Sequence, residues 1–207
     1  MHVGNADTTT PAAPLRADAR RNREAVVAAA REVFAAQGLD APLDEITRRA
    51  GVGNATLYRR FSTREALIEA VFADGLGSVQ QAGQEALSAD DAWTGLTVLE
   101  ERLCALLAAD HGAKELLTTA VTGVPALDAF KRHNRETVTL LVARAQHQGS
   151  MRTDVTAEDL LISLGALCGA VPALSSADAP DAWRRPLALL MDGFRAAGGH
   201  PLPGLRK

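Results

Sequence analysis

The chain has 207 residues, of which 47% are hydrophobic and only 4% aromatic, so we expect a core filled by alanine, leucine and valine. Its net charge of −3 argues against a general nucleic-acid binder. The charge is unevenly distributed, because residues 16–64 hold ten arginines against six acidic residues while residues 65–207 carry −6, and this asymmetry indicates an anionic partner for the basic part.

The N-terminal end is predicted to be a disordered tail, residues 1–15, followed by two helices. The tail lacks the basic head and apolar core of a signal peptide. The segment RNREAVVAAAREVFAAQG then places four apolar residues on one helical face: Val26, Ala30, Val33 and Phe34. Gly38 is positioned to end this helix, and Pro42 can occupy the first turn of a second helix, LDEITRRA.

A short third helix follows in the segment AGVGNATLYRRF, residues 50–61. The chain turns through glycines at positions 51 and 53, and Leu57 and Phe61, four residues apart, share the face that anchors the helix. The rest of its circumference is small, polar or basic: Asn54, Ala55, Thr56, Tyr58, Arg59 and Arg60.

Two helices joined by a short glycine-containing turn are typical of a helix-turn-helix, whose second helix fits the major groove of DNA. Asn54 and Thr56 offer hydrogen bonds near the N-terminus of that helix, and the Tyr58 hydroxyl suits a phosphate oxygen. Positive charge for the phosphates comes from Arg59, Arg60 and Arg64. A three-helix bundle with an incidentally basic surface would give the same pattern, so the residues alone leave both interpretations open.

The segment LDEITRRAGVGNATLYRRFSTREALIEAVF resembles the signature of the tetracycline-repressor (TetR) family of transcriptional regulators. The resemblance lies in the AGV turn, the T-L-Y core of the third helix, the aromatic residue that closes this helix, and a basic residue followed by E-A-L. The preceding AAREVFAAQG resembles the first helix of the family, so the similarity covers about residues 20–72.

The resemblance implies a homodimer whose N-terminal helices bind a palindromic double-stranded DNA operator. It also implies that the C-terminal helices bind a small-molecule effector and form the dimer. By position, it assigns phosphate contacts to Thr56 and Tyr58. It assigns contacts with bases or nearby backbone to Asn54, Ala55 and Arg60. Arg64 replaces the lysine that is usual in the family and keeps its charge.

The remainder of the chain is predicted to be helical, without strands or repeats. A capping box of Ser62 and Glu65 starts a fourth helix that runs towards Leu87. Breaks containing Gly, Pro or Asp separate five further helices: 91–109, 112–121, 125–148, 157–171 and 181–197. The predicted fold class is all-α with about nine helices. Its predicted domains are a helix-turn-helix domain (16–64), a ligand-binding and dimerisation domain (65–198) and a C-terminal tail (199–207).

One face of the helix at 125–148 is a candidate ligand-binding surface, formed by Phe130, Asn134, Thr137 and Leu141. Two polar residues within an apolar stripe are typical of a mostly apolar pocket with a few orienting groups. Core residues with local hydrogen bonds, or a solvent-facing edge, would show the same spacing. The histidines lack metal-ligand spacing, and Cys104 and Cys168 form no CxxC motif, so we expect neither a metal nor a cofactor.

The last two helices carry the candidate dimer interface. Residues 157–171 are apolar nearly all round, too few to span a bilayer, and need covering on every side. Small residues there allow a second helix to approach closely, and the final helix carries a matching apolar stripe. The predicted interface residues are Leu164, Leu167, Gly169, Leu187, Leu190, Met191 and Phe194. A helix buried within a single chain would have the same composition, so this alternative stays open.

These features predict a cytoplasmic, dimeric regulator, with repression relieved by a small molecule. The alternatives are an activator, a regulator without a ligand or, in another class, an all-α enzyme or small-molecule carrier without specific DNA binding. We expect no enzyme, because the sequence shows no Ser/His/Asp or Cys/His set, carboxylate pair or phosphate-binding glycine loop. A gel-shift experiment separates the classes, since a carrier has no preference for a DNA sequence.

Overall fold

The computed structural model describes residues 12–118, 124–174, 179–196, 200 and 202. Within these ranges the chain forms nine α-helices and no strand, which confirms the predicted all-α class. The helices are α1 (Ala12–Gln37), α2 (Leu43–Ala50), α3 (Asn54–Arg60), α4 (Arg64–Ser88), α5 (Ala92–Ala109), α6 (His111–Thr118), α7 (Pro125–His147), α8 (Ala157–Leu174) and α9 (Arg184–Gly193).

Several helix ends differ from the prediction, among them the end of α8, which runs to Leu174 and not to 171. Helix α1 begins at Ala12, so the last four residues of the predicted tail lie in a helix, while residues 1–11 fall outside the described residues. The predicted cap of α4 was wrong by one residue, because Thr63 and not Ser62 accepts the Ala66 N–H, at 3.1 Å. Helix α9 spans ten residues and is shorter than predicted. Most of the predicted tail at 199–207 also lies outside the described residues.

The first three helices and the start of α4 share one core. Val33 and Phe34 from α1, Ile46 from α2 and Leu57 from α3 are at most 1% exposed. Each such side chain contributes roughly 1.5–3 kcal/mol to folding when it is fully buried. The apolar faces predicted from the helical period therefore meet as expected, and they fix α3 on the outside of this small unit.

Helix α4 continues from this unit into the C-terminal bundle, where it packs against α5 and α7. The approach of α5 is close, because a Cβ atom added to Gly95 would lie 2.7 Å from the Ala86 carbonyl oxygen. The end of α7 secures the loop between these helices, since the Arg144 guanidinium donates to the carbonyls of Leu87 and Ala89. Among the described residues, no helix is both long and apolar enough to cross a bilayer.

Candidate nucleic-acid interface and effector pocket

The turn between α2 and α3 begins with a glycine C-cap that ends α2. Gly51 has φ +67°, a left-handed conformation that other residues adopt at a cost. Its N–H points to the Arg48 carbonyl at 3.4 Å, and the Val52 N–H donates to the Thr47 carbonyl at 3.1 Å. This is the hydrogen-bond pattern of a Schellman motif, so the turn leaves α2 in a defined direction.

The Asn54 side chain holds the start of α3 against α2. Its Oδ1 accepts a hydrogen bond from the Thr47 hydroxyl, and its Nδ2 donates to the Asp44 carboxylate, both at 2.7 Å. Thr47 is buried, so this contact reaches the interior of the helix pair. Each end of the Asn54 amide is therefore engaged once within the chain, which fixes the side chain. The second Nδ2 hydrogen has no partner among the described residues, so the direct DNA contact predicted for Asn54 stays a prediction.

The outer face of α3 consists of four exposed residues: Ala55, Tyr58, Arg59 and Arg60. Tyr58 is 56% exposed although it is aromatic, and its hydroxyl makes no hydrogen bond among the described residues. The Arg59 guanidinium donates to the hydroxyl of half-buried Thr56 at 3.2 Å. Within the described part of the chain, Arg60 has neither an ion pair nor a hydrogen bond. The outer face thus offers a phenol hydroxyl and two guanidinium groups to a partner.

The Arg64 guanidinium is engaged within the chain. Its Nη1 donates to the carbonyl oxygens of Leu39 and Ala41, each at 2.8 Å. The Leu39 N–H in turn donates to the Glu115 carboxylate on α6, also at 2.8 Å. Arg64 therefore braces the loop between α1 and α2 through Nη1. Its Nε and Nη2 groups make no hydrogen bond among the described residues, so the phosphate contact predicted for it stays a prediction.

Two exposed arginines of α2 pair with acidic side chains, of which Glu32 is exposed and Glu45 is half-buried. Arg48 pairs with Glu45 at 2.5 Å, and Arg49 pairs with Glu32 at 2.6 Å. Exposed pairs of this kind contribute only about 0–1 kcal/mol to stability. A phosphate that replaces the exposed Glu32 carboxylate would accordingly cost little folding free energy.

A cavity of about 540 Å³ lies between α5, α6, α7 and α8. Most of its lining is apolar: Leu103, Leu107, Leu117, Phe130, Leu161 and Leu164. Of the predicted ligand-binding residues, Phe130 and Asn134 line this cavity. Thr137 and Leu141 do not, because both are buried further along α7, where the Thr137 methyl group faces Gly83 of α4.

Glu100 is the acidic one among the lining residues that the sequence prediction missed. It is 1% exposed, and its Oε1 has no hydrogen-bond partner among the described residues. Burial raises the pKa of this carboxyl to about 8. The neighbouring Cys168 thiol has a raised pKa because of its hydrogen bond with Cys104 and its burial. A signal existed, since Glu100 is the single acid on the buried stripe that includes Leu96 and Cys104.

The residues predicted for the dimer interface divide into two groups. Four of them are at most 8% exposed within the single chain: Leu164, Leu187, Met191 and Phe194. Leu167 and Leu190 are half-buried, and Gly169 is exposed. The apolar stripe of α9 therefore packs mainly on its own chain. Because α8 is apolar all round, its sequence did not indicate which of its sides packs on the same chain.

Two family models match the sequence and together cover most of it. The model for bacterial regulatory proteins of the tetR family matches residues 26–71. The model for the C-terminal domain of SbtR-like transcriptional regulators matches residues 91–196, just over half of the chain. The first contains α2, α3 and the start of α4, and the second contains the cavity.

Individual proteins show the same similarity. An uncharacterized HTH-type transcriptional regulator, TtgW of Pseudomonas putida, is 43% identical over 58 residues, which are 28% of this chain and 43% of that relative. A TetR transcriptional regulator from Streptomyces coelicolor is 31% identical with a TM-score of 0.57, over 85% of this chain and 99% of its own. The FadR regulator of Bacillus subtilis was solved in complex with stearoyl-CoA. It is 16% identical with a TM-score of 0.64, over 83% of this chain and 98% of its own, and at this identity the likeness shows the fold alone.

Proposed function

The chain belongs to the TetR family of bacterial transcriptional regulators, and we propose that it is a homodimeric repressor that a small molecule releases from a palindromic operator. The observation that carries the proposal is the outer face of α3, which is exposed and basic while the helix itself is fixed by Asn54 and the α2 turn. A rigid support with a free polar surface is what sequence-specific binding in a groove requires.

The outer face of α3 divides the work of DNA recognition among its residues. The Tyr58 hydroxyl and the Arg60 guanidinium bind phosphate oxygens or base edges, because neither is engaged elsewhere in the described chain. Ala55 offers a methyl group of the size that contacts thymine. Arg59 and Thr56 remain candidates for phosphate, whereas Asn54 and Arg64 act by positioning the helix and the loop before α2.

The exposed surface of α8 supports the dimer. Ile162 is 64% exposed, and small exposed residues follow it on the same face: Gly165, Ala166, Gly169 and Ala170. Leu189 of α9 is 62% exposed. Large exposed apolar residues beside a surface of small residues suit a second copy of the same pair of helices. The dimer would hold two α3 helices about 34–36 Å apart, one turn of DNA.

Helix α6 provides a route from the cavity to the DNA-binding helices. Leu117 lines the cavity, and Glu115, two residues earlier, accepts the Leu39 N–H in the loop that leads into α2. A ligand that prefers a different position of α6 would shift the population towards a conformation whose α3 helices no longer match the groove. The complex of FadR with stearoyl-CoA concerns that protein, since an identity of 16% does not transfer a ligand.

The test is a gel-shift titration of the full chain with DNA from upstream of its own gene. We expect binding to a palindromic segment at least about a thousandfold tighter than to a scrambled duplex of equal length and salt. Equal affinity for the two duplexes would contradict the proposal and favour the small-molecule carrier or enzyme. A transcription assay with the same promoter then separates a repressor from an activator.

A further inference from the structure

The effector cavity combines an apolar lining with one buried carboxyl group that has no partner. Glu100 of α5 lines the cavity, yet it is 1% exposed and its Oε1 accepts no hydrogen bond among the described residues. A buried polar atom without a partner destabilises the folded chain, whereas a leucine in its place would not. Its retention inside a cavity of ligand size points to a group supplied by the ligand.

The other ionisable groups around the cavity show which end of a ligand meets Glu100. Cys104 on the same helix and Cys168 on α8 are buried thiols beside it. Helix α7 contributes three basic side chains to the lining: Lys131, Arg132 and Arg135. Arg132 and Arg135 are exposed, and Arg135 already pairs with Glu158 on α8. The two arginines therefore lie at the solvent side of the cavity, whereas Glu100, the one acid in the described lining, is buried. Lys131 is half-buried, makes no ion pair or hydrogen bond among the described residues and is not among the groups that shift the pKa of Glu100.

We propose that this cavity takes an apolar organic amine, with its protonated nitrogen donating to the buried Glu100 carboxylate. The inference rests on the proposed function, because it names the ligand class of the effector pocket. A purely anionic ligand would place its charge beside the basic residues and leave the Glu100 carboxyl against hydrocarbon. A charged donor instead satisfies the orphan oxygen in a low-dielectric site, where such a pair is strong.

The pair forms with release of a proton. Since the pKa of Glu100 in the free chain is about 8, the carboxyl is mostly protonated at pH 7. An ammonium ion that binds there converts it to the carboxylate, and its proton passes to the buffer. An alcohol of the same length can hydrogen-bond to the protonated Glu100 carboxyl, so its binding releases no proton.

Isothermal titration calorimetry with three probes of equal chain length tests the proposal: decylamine, decan-1-ol and decanoic acid. At pH 7 we expect the amine to bind at least about tenfold more tightly than the other two. Titrations in two buffers of different ionisation enthalpy should show close to one proton released per amine bound. No binding of the amine, or equal or tighter binding of either other probe, would overturn the proposal.

Variants of two adjacent glutamates provide the matched comparison. Glu100→Gln should abolish the preference for the amine and the proton release. Glu101→Gln should retain both, because Glu101 lies next to Arg184, 3.8 Å away, outside the cavity. Glu100→Leu removes the acid without a polar replacement and should fold at least as stably as wild type. Preference for the amine in Glu100→Gln or Glu100→Leu would overturn the assignment.

A parallel gel shift separates this inference from the proposed function. Wild type and both Glu100 variants should bind the operator equally without a probe, because Glu100 lies on α5 in the C-terminal bundle and not on the DNA-binding helices. Operator binding that decanoic acid releases and decylamine does not would leave the proposed function intact and overturn the amine. Preference for the amine in a chain that shows no preference for operator DNA would support the ligand class and contradict the repressor.

Discussion

At the scale of single residues, the contacts of polar side chains divide the N-terminal domain into supports and free groups. Asn54 and Arg64 have the residue types of DNA contacts, yet each makes two hydrogen bonds inside the chain. Tyr58 and Arg60 have none of these internal bonds among the described residues. Substitutions in the two groups should therefore affect different measurements.

Tyr58→Phe removes one hydroxyl and keeps the ring. Because this side chain is 56% exposed and its hydroxyl makes no hydrogen bond in the described chain, folding should be nearly unchanged. Operator affinity should fall by about 1.5–3 kcal/mol, the value of a hydrogen bond to a charged group. Gel-shift titration and thermal melting measure the two effects. Lost stability with unchanged affinity would mean that the hydroxyl supports the fold and does not contact DNA.

Arg60→Ala and Arg64→Ala form a matched pair. Arg60→Ala should weaken binding to operator and random DNA alike and flatten the dependence of log K on log salt by about one unit, as loss of one phosphate contact does. Arg64→Ala should instead lower the free energy of unfolding, by about 1–3 kcal/mol, because two carbonyl groups lose a charged donor. Salt titrations and urea denaturation compare the two variants. A flattened slope in Arg64→Ala with unchanged stability would reverse their roles.

Glu100 gives folding a pH dependence of defined sign. Burial raises its pKa from the ordinary 4.5 to about 8, so the folded chain holds a proton that the unfolded chain releases between these values. The free energy of unfolding therefore falls as pH rises from 5 to 8, by up to a few kcal/mol from this group. Glu100→Leu should melt at a temperature that falls less over this range, whereas Glu101→Gln should follow wild type. Identical pH profiles for wild type and Glu100→Leu would exclude the raised pKa.

At the scale of helices, periodicity and glycine positions were sufficient to predict the fold. Val33 and Phe34 identified the inward face of α1, and Ile46 identified that of α2. Gly51 marked the end of α2 through the left-handed backbone that it allows. The cap of α4 was misplaced because Ser62 and Thr63 are both capping residues, and only the backbone geometry selects between them.

The functional residues were harder to predict than the helices. Whether an arginine faces a phosphate or a carbonyl depends on loops distant in sequence, as the contacts of Arg64 with residues 39 and 41 show. Helix α8 is apolar on every side, so its sequence could not separate the core residue Leu164 from the exposed Ile162. Glu100 was detectable as an acid on an apolar stripe, but only the cavity beside it gives that pattern a meaning.

The contact between α4 and α5 gives a prediction at this scale. In Gly95→Ala the new Cβ would lie 2.7 Å from the Ala86 carbonyl oxygen, so the helices must move apart. We expect a loss of roughly 1–3 kcal/mol in the free energy of unfolding. Gly77→Ala, in α4 with nothing within 4 Å of its Cβ, should instead gain about 0.5–1 kcal/mol through helix propensity. Urea denaturation compares them, and a Gly95→Ala variant as stable as wild type would mean that α5 is not held against the α4 backbone.

At the scale of the whole molecule, the proposed function depends on two chains acting together. One α3 helix of seven residues reads too few base pairs for specific binding, so two copies must be held at the spacing of the DNA groove. The exposed surface from Ile162 to Ala170 on α8 is where this chain can meet a second copy. The buried stripe of α9 has a different role, because it secures α9 to its own chain.

Gly169→Leu tests this division without disturbing the single chain. A Cβ at Gly169 would have nothing within 4 Å, so a leucine there has room in the monomer but would hold two α8 backbones apart in the dimer. We expect folded helical monomers, or a dimer weakened at least about a hundredfold, with operator binding lost in proportion. Sedimentation velocity, circular dichroism and a gel shift measure these three properties. Gly77→Leu is the control, since it adds the same side chain to an equally open position on α4 and should remain dimeric. A Gly169→Leu variant that stays a tight dimer and binds the operator would place the interface away from this surface of α8.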